Sequence, residues 1–164
     1  EPKDEMEILS VHSSWAEQDP NHWWKIVCIA IKKLLQKSGV DASQVQRIGI
    51  AYQMHGLVVV DESGDCLRNS IIWCDSRAVS IGEKAYQDLG AKKCMNHLLN
   101  SPANFTASKL KWVKENEPHI YEKIHKYMLP GDYIALKMTG EARISISGLS
   151  EGIMWDFKEE QPAK

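Results

Sequence analysis

The 164-residue chain has no long apolar run: the longest, residues 26–31 and 57–60, fall far short of the ~20 residues a helix needs to span a bilayer. No transmembrane helix is therefore expected. Charge of one sign is lacking as well. Twenty Lys and Arg against 22 Asp and Glu leave a formal net charge of −2, which gives no electrostatic reason to expect nucleic acid or an anionic membrane as partner. A small polar ligand fits better. Cys28, Cys66, Cys74 and Cys94 form no Cys-x-x-Cys pair and have no histidine at metal-ligand spacing. They read as reduced thiols of a cytoplasmic protein, with Cys28 on the apolar side of a helix, packing as a small hydrophobe. No P-loop, nucleophile–base pair, metal cluster, internal repeat or low-complexity tract is found. The start, Glu1-Pro-Lys-Asp-Glu-Met-Glu-Ile, has neither an initiator methionine nor a signal-peptide layout and reads as a cut end.

What is present suits one globular domain. At 43% hydrophobic and 26% charged residues, a chain of this length buries roughly two-thirds of its unfolded surface. Apolar residues recur at helical spacing from Asn21 to Lys37, with Asp19-Pro20 before them and Ser38-Gly39 after, so a helix is predicted there. Residues 6–10 read as the end of a strand and 15–20 as a loop. Val45 to Ala51 reads as a strand, Leu57 to Val60 as another, turning at 61–65 into a return around Cys66–Leu67, with 71–73 extended. Helices are predicted over 79–89, 94–99, 106–116 with Thr106 as cap, 118–124 and 133–138, with Asp132 as an N-cap and Gly140 as the stop. Tyr127–Leu129 reads as a brief strand, 144–146 and 153–157 as extended pieces, and 158–164 as a polar tail.

The chain centres on Gly49-Ile-Ala-Tyr-Gln-Met-His55-Gly56-Leu-Val-Val-Val60-Asp61. Apolar runs on both sides suit strands covered on both faces, and Gly56 permits a bend or a close backbone approach. Polar groups at strand ends are where open α/β sheets bind small molecules. Two readings of His55 stand side by side: a ligand-facing imidazole, or a hydrogen-bonded turn histidine. Asp75 or Ser76 reads locally as the cap of the helix that follows, and Asp75 with Arg77 as a surface ion pair, which would contribute roughly 0–1 kcal/mol.

Five ordered segments resemble the FGGY carbohydrate kinases, most closely their xylulokinase branch. Trp15-Ala-Glu-Gln-Asp-Pro-Asn-His-Trp-Trp24 looks like that family's Trp-x-Glu-Gln-Asp-Pro-x-x-Trp-Trp. Gln53-Met54-His55-Gly56 is similar to its Gln-Met-His-Gly, and Ile71-Ile-Trp-Cys-Asp-Ser-Arg77 to its apolar-Trp-x-Asp-x-Arg. Phe105-Thr-Ala-Ser-Lys-Leu-Lys-Trp-Val113 matches Phe-Thr-Ala-x-Lys-Leu-x-Trp, and Leu129-Pro-Gly-Asp-Tyr133 with Thr139-Gly-Glu141 matches Leu-Pro-x-Asp-Tyr followed by Thr-Gly-Glu.

The resemblance implies an α/β, ribonuclease H-like (actin-like ATPase) N-terminal domain with a mixed sheet flanked by helices. It implies that residues 1–164 lack the first phosphate-binding hairpin and the C-terminal domain. The implied activity is ATP-dependent phosphorylation of a sugar hydroxyl, D-xylulose to D-xylulose 5-phosphate, in the intact protein. Alternatives are a kinase for ribulose, gluconate or glycerol, or a non-catalytic sugar-binding fragment. Gln53, Met54, His55, Trp73, Asp75 and Asn104 are implied as substrate-side residues, although Asn104 stands where the family usually has Gly or an aromatic. ATP and Mg²⁺ are implied for the intact enzyme, with none bound by this part, and the catalytic aspartate lies outside these residues. The implied partner is a small sugar, not nucleic acid or membrane; a homodimer stays open.

Overall fold

A computed structural model describes residues 5–164. The elements that position the site surround one short strand, β2 (Val58–Val60), which pairs antiparallel with β4 (Lys126–Met128) in the register Val58 to Met128. On its other side the chain folds back through Leu57 opposite Ile71 and Val60 opposite Cys66. Ile71 belongs to β3 (Ser70–Ile71), which pairs antiparallel with β1 (Glu17–Gln18). The turn predicted at 61–65 is present: Asp61 N–H donates to the carbonyl of Asp65, and the Asp61 carboxylate accepts from Ser63 and Asp65 N–H.

Residues 57–60 are each 1% exposed or less, as expected of a strand covered on both faces. Alternation sends Val58 and Val60 into a core with Trp23, Tyr133 and Ile134, and Leu57 and Val59 into a second core with Ala78, Trp112 and Val113. Burying each such side chain contributes roughly 1.5–3 kcal/mol, so this short strand is a main anchor of the domain.

The first core is closed by α1 (Pro20–Ser38) and α6 (Pro130–Thr139), the second by α4 (Thr106–Asn116) and α5 (Pro118–Tyr121). Helix α1 starts where Asp19 accepts the N–H of Asn21 at 2.9 Å with Pro20 in the first turn. It stops where Gly39 adopts φ 68° and donates to Leu35. Between the cores and the C-terminal end lie α2 (Val79–Leu89), α3 (Ala91–Lys93) continued by a π turn (Cys94–Leu98), and α7 (Ile146–Glu151). A hairpin of β5 (Trp155–Asp156) and β6 (Gln161–Pro162) ends the chain. No helix of the described residues is long and apolar enough to cross a membrane.

Several expectations need correction. Residues 45–51 form no strand, because no segment among the described residues supplies a ladder partner; Ile48 is 63% exposed. The ladders among the described residues are all antiparallel. The loop expected at 15–20 contains β1, and residues 6–10 contribute only an isolated bridge from Leu9 to Glu17. Residue 146 begins α7 rather than ending an extended piece, because the Ser145 hydroxyl accepts the Gly148 N–H at 3.0 Å. The tail contains β6. Thr106 is not the cap of α4, since its hydroxyl donates to Gly56 O at 3.3 Å instead. Asp132 is the third residue of α6, and its carboxylate reaches back to accept the Leu129 N–H at 3.2 Å.

Candidate functional site

The elbow before β2 places His55 at φ 59°, a left-handed conformation that costs a non-glycine residue roughly 1–2 kcal/mol. Such a conformation persists only where the surroundings over-determine it. Four contacts do so. The His55 N–H donates to Glu151 Oε1 at 2.5 Å, and the His55 carbonyl accepts from Lys109 Nζ at 2.8 Å. The imidazole packs edge-on against Phe105 at 4.0 Å between centroids, and its Nδ1 lies 2.5 Å from the same Glu151 oxygen. Next in the chain, Gly56 lies so close to the Pro130 ring that a Cβ there would come within 2.5 Å of it. The bend thus requires glycine for close approach, as expected. The His55 side chain stays about one-quarter exposed.

Lys109 ties the elbow to the neighbouring strand end. Fully buried, its ammonium donates to the carbonyls of His55 and, at 2.9 Å, of Ile72. Burial pushes its pKa down to about 8, against the opposing pull of the Asp75 charge. Gln53 makes a second tie, its Oε1 accepting the Trp73 N–H at 2.9 Å.

Asp75 is also fully buried. Its Oδ2 accepts from the Ala16 N–H at 2.6 Å and from Arg77 Nη2 at 2.7 Å, while Oδ1 accepts the Arg77 N–H at 2.9 Å. Arg77 Nη1 lies 2.7 Å from Glu17 Oε1, and the guanidinium sits 4.0 Å from the Trp15 ring and 4.8 Å from that of Trp112. The pair is therefore no surface ion pair, and neither Asp75 nor Ser76 caps a helix: α2 follows Ala78 with no side-chain cap. Asn104 donates through Nδ2 to the Asp75 carbonyl, and its Oδ1 is buried with no partner among the described residues.

The six residues singled out from the sequence thus gather around two adjacent chain ends with different jobs. Met54 and Trp73, 56% and 57% exposed, and the partly exposed His55 present surface to solvent. Gln53, Asp75 and Asn104 hold the frame. Glu151 and Lys109 were not singled out as site residues. Lys109 sat in plain view within a matching helix segment, whereas Glu151 reaches His55 from 96 positions away and carries no local signal. A cavity of about 620 Å³ between α2, the π turn, α4 and β5 includes none of these side chains.

The family model for the FGGY family of carbohydrate kinases, N-terminal domain, matches residues 2–161. The xylulose kinase of Escherichia coli (strain K12) is 35% identical over 152 residues, 93% of this chain and 31% of that protein. A xyloylose kinase crystal structure from Brucella ovis superposes with a TM-score of 0.88 and 31% identity, covering 97% of this chain and 33% of that one. A gluconate kinase structure from Lactobacillus acidophilus, at 23% identity and a TM-score of 0.85, covers 98% of this chain and 32% of its own and shares the fold. The chain spans about a third of the length of the relatives it matches.

Proposed function

The chain belongs to the FGGY family of carbohydrate kinases, with the actin-like ATPase fold of that family, and we propose that it holds the sugar in an intact protein that transfers a phosphoryl group from ATP to a sugar hydroxyl. The substrate we assign is D-xylulose, giving D-xylulose 5-phosphate. The observation that carries this reading is the convergence of Met54, His55 and Trp73 on two strand ends that Lys109 and Gln53 bind together. A kinase gains most of its rate from positioning, and an imidazole clamped at both its backbone groups suits that task. In this reading His55 exchanges a hydrogen bond with a sugar hydroxyl, while Trp73 and Met54 offer apolar surface to the carbon skeleton. Similarity to xylulose kinases over most of the chain favours the pentulose among the sugars this family's fold accommodates.

ATP and Mg²⁺ would act in the whole enzyme, the nucleotide supplying the phosphoryl group. The residues here do not fit them. Among the described residues no group of three His, Cys, Asp and Glu side chains could hold a metal ion. The cations nearest the elbow are committed elsewhere, Lys109 to two carbonyls and Arg77 to Asp75 and Glu17. We assign phosphate binding and the catalytic base to parts of the protein beyond residues 1–164. The test is a coupled ADP-release assay on the intact protein with D-xylulose, D-ribulose, D-gluconate and glycerol. D-Xylulose should give the highest kcat/KM; ADP release with none of them would refute the assignment.

A further inference from the structure

We propose that the cavity of about 620 Å³ beside α2 and α4 is a docking groove for this protein's own chain. In the intact protein the residues just after Lys164 lie in it as a short amphipathic helix. The proposal rests on the kinase reading above only in taking the intact protein to be longer than these residues, which cover 31% and 33% of two relatives. The groove has two helical walls. Ile81, Ala85 and Leu89 line it from α2 and Ala107, Lys111 and Glu115 from α4, each set recurring every fourth residue along one helix face. Each stripe spans roughly 12 Å, about two turns of helix. Cys94, Ile153 and Met154 make a buried apolar floor. Cross-ties fix the shape: His97 Nδ1 lies 2.8 Å from Asp156 Oδ2, the His97 carbonyl accepts the Phe157 N–H at 2.7 Å, and the Ala107 N–H donates to the Gly152 carbonyl at 3.1 Å.

The chemistry of the walls selects a peptide over a small molecule. Lys84 pairs with Asp88 and Lys111 with Glu115, each one turn along its own helix, and Asp156 holds His97. Few polar groups are left to converge on a small ligand and orient it. Apolar side chains at i, i+3 or i+4, and i+7 of a helix fit such a groove, and would cover Leu89, now 41% exposed. Chain geometry selects whose helix it is. The Ala163 N–H donates to the Met154 carbonyl at 2.8 Å, fastening the chain at the groove, and Ala163 and Lys164 themselves line it. A segment tethered there meets the groove at an effective concentration of roughly millimolar, which favours it over a second copy of the protein. Lys93 and Lys164 on the rim have no acidic partner among the described residues, so an acidic residue flanking the apolar anchors completes the match.

The test uses the intact protein with the photo-cross-linker p-benzoylphenylalanine in place of Leu89 on one wall or of Lys111 on the other. Both positions are exposed, so the fold should tolerate the exchange. After irradiation, digestion and mass spectrometry, each probe should be joined within one molecule to the same peptide, shortly after Lys164. That peptide should carry apolar residues at i, i+3 or i+4, and i+7, with an acidic residue beside them. Capture of it by neither probe overturns the proposal, whether the adducts fall within residues 1–164, elsewhere in the chain or on a second copy, or do not form. The readout needs no sugar and no ATP, so a protein that releases no ADP with any of the sugars would refute the kinase reading and leave this result standing.

Discussion

Replacing Lys109 with methionine gives the sharpest check on how the site is built. The methionine fills much of the same volume but leaves the carbonyls of His55 and Ile72 without their donor, and each buried unpaired group costs about 1–3 kcal/mol. The wild-type protein has a cost of its own. A lysine held at about 8 in the fold instead of its ordinary 10.5 binds fewer protons when folded than when unfolded between those two values. Stability contributed by this group therefore rises with pH across that window, because the unfolded chain carries the extra proton. Below pH 8 the folded protein bears the full charge-burial cost; above it the neutral amine forms and still has N–H groups for both carbonyls. From pH 7 to 9.5 the gain works out to about 2 kcal/mol, at ~1.4 kcal/mol per pKa unit. The assay is urea unfolding of both proteins at the two pH values, taking the difference so that titrations common to both cancel. The stability advantage of wild type over Lys109→Met should widen by about 2 kcal/mol at the higher pH. An advantage that is constant, or that narrows, would refute the buried ammonium and its part in fixing the elbow.

Other perturbations test the remaining parts. His55→Ala in the intact protein should lower kcat/KM for D-xylulose by about two- to tenfold, the worth of one uncharged hydrogen bond; unchanged steady-state kinetics would remove the imidazole from the sugar site. Asp75→Ala leaves the buried Arg77 with Glu17 as its remaining carboxylate and the Ala16 N–H without its acceptor, and should lower unfolding free energy by about 3 kcal/mol in a denaturant titration, whereas a loss below about 1 kcal/mol would return the pair to the surface role. Gly82→Ala would set a methyl group 1.7 Å from the Ala103 carbonyl oxygen, which is backbone and cannot swing aside. Thermal denaturation should show a loss of about 1–3 kcal/mol, and an unaltered Tm would mean that α2 and residue 103 do not meet so closely.

The parts of the fold that could be read from the sequence are those whose signal is local. Helix α1 advertises both ends, with Asp19-Pro20 and Gly39, and residues 57–60 are apolar on both faces because both faces are covered. Residues 45–51 carry a similar β-branched pattern but have no ladder partner among the described residues, and propensity cannot supply one. Asp75 and Arg77, two apart, look locally like a solvated pair; Trp15, Glu17 and Trp112, distant in sequence, are what bury them. At the candidate site, resemblance to a family is what singles out Met54, His55 and Trp73 as expected ligand-side residues. Glu151 is not among them, because its role depends on a contact across 96 positions and on its place at the end of a helix that sequence patterning did not reveal.

The most direct test of the central claim, that the His55 elbow is where the sugar sits, is an NMR titration of the intact protein with D-xylulose while the His55 ring and the indole N–H of each tryptophan are followed. Saturable shifts should appear at His55 and at the exposed Trp73, with the indole of the buried Trp112 on α4 nearly still. Saturation with no change at His55 and Trp73, or with changes confined to other residues, would contradict it.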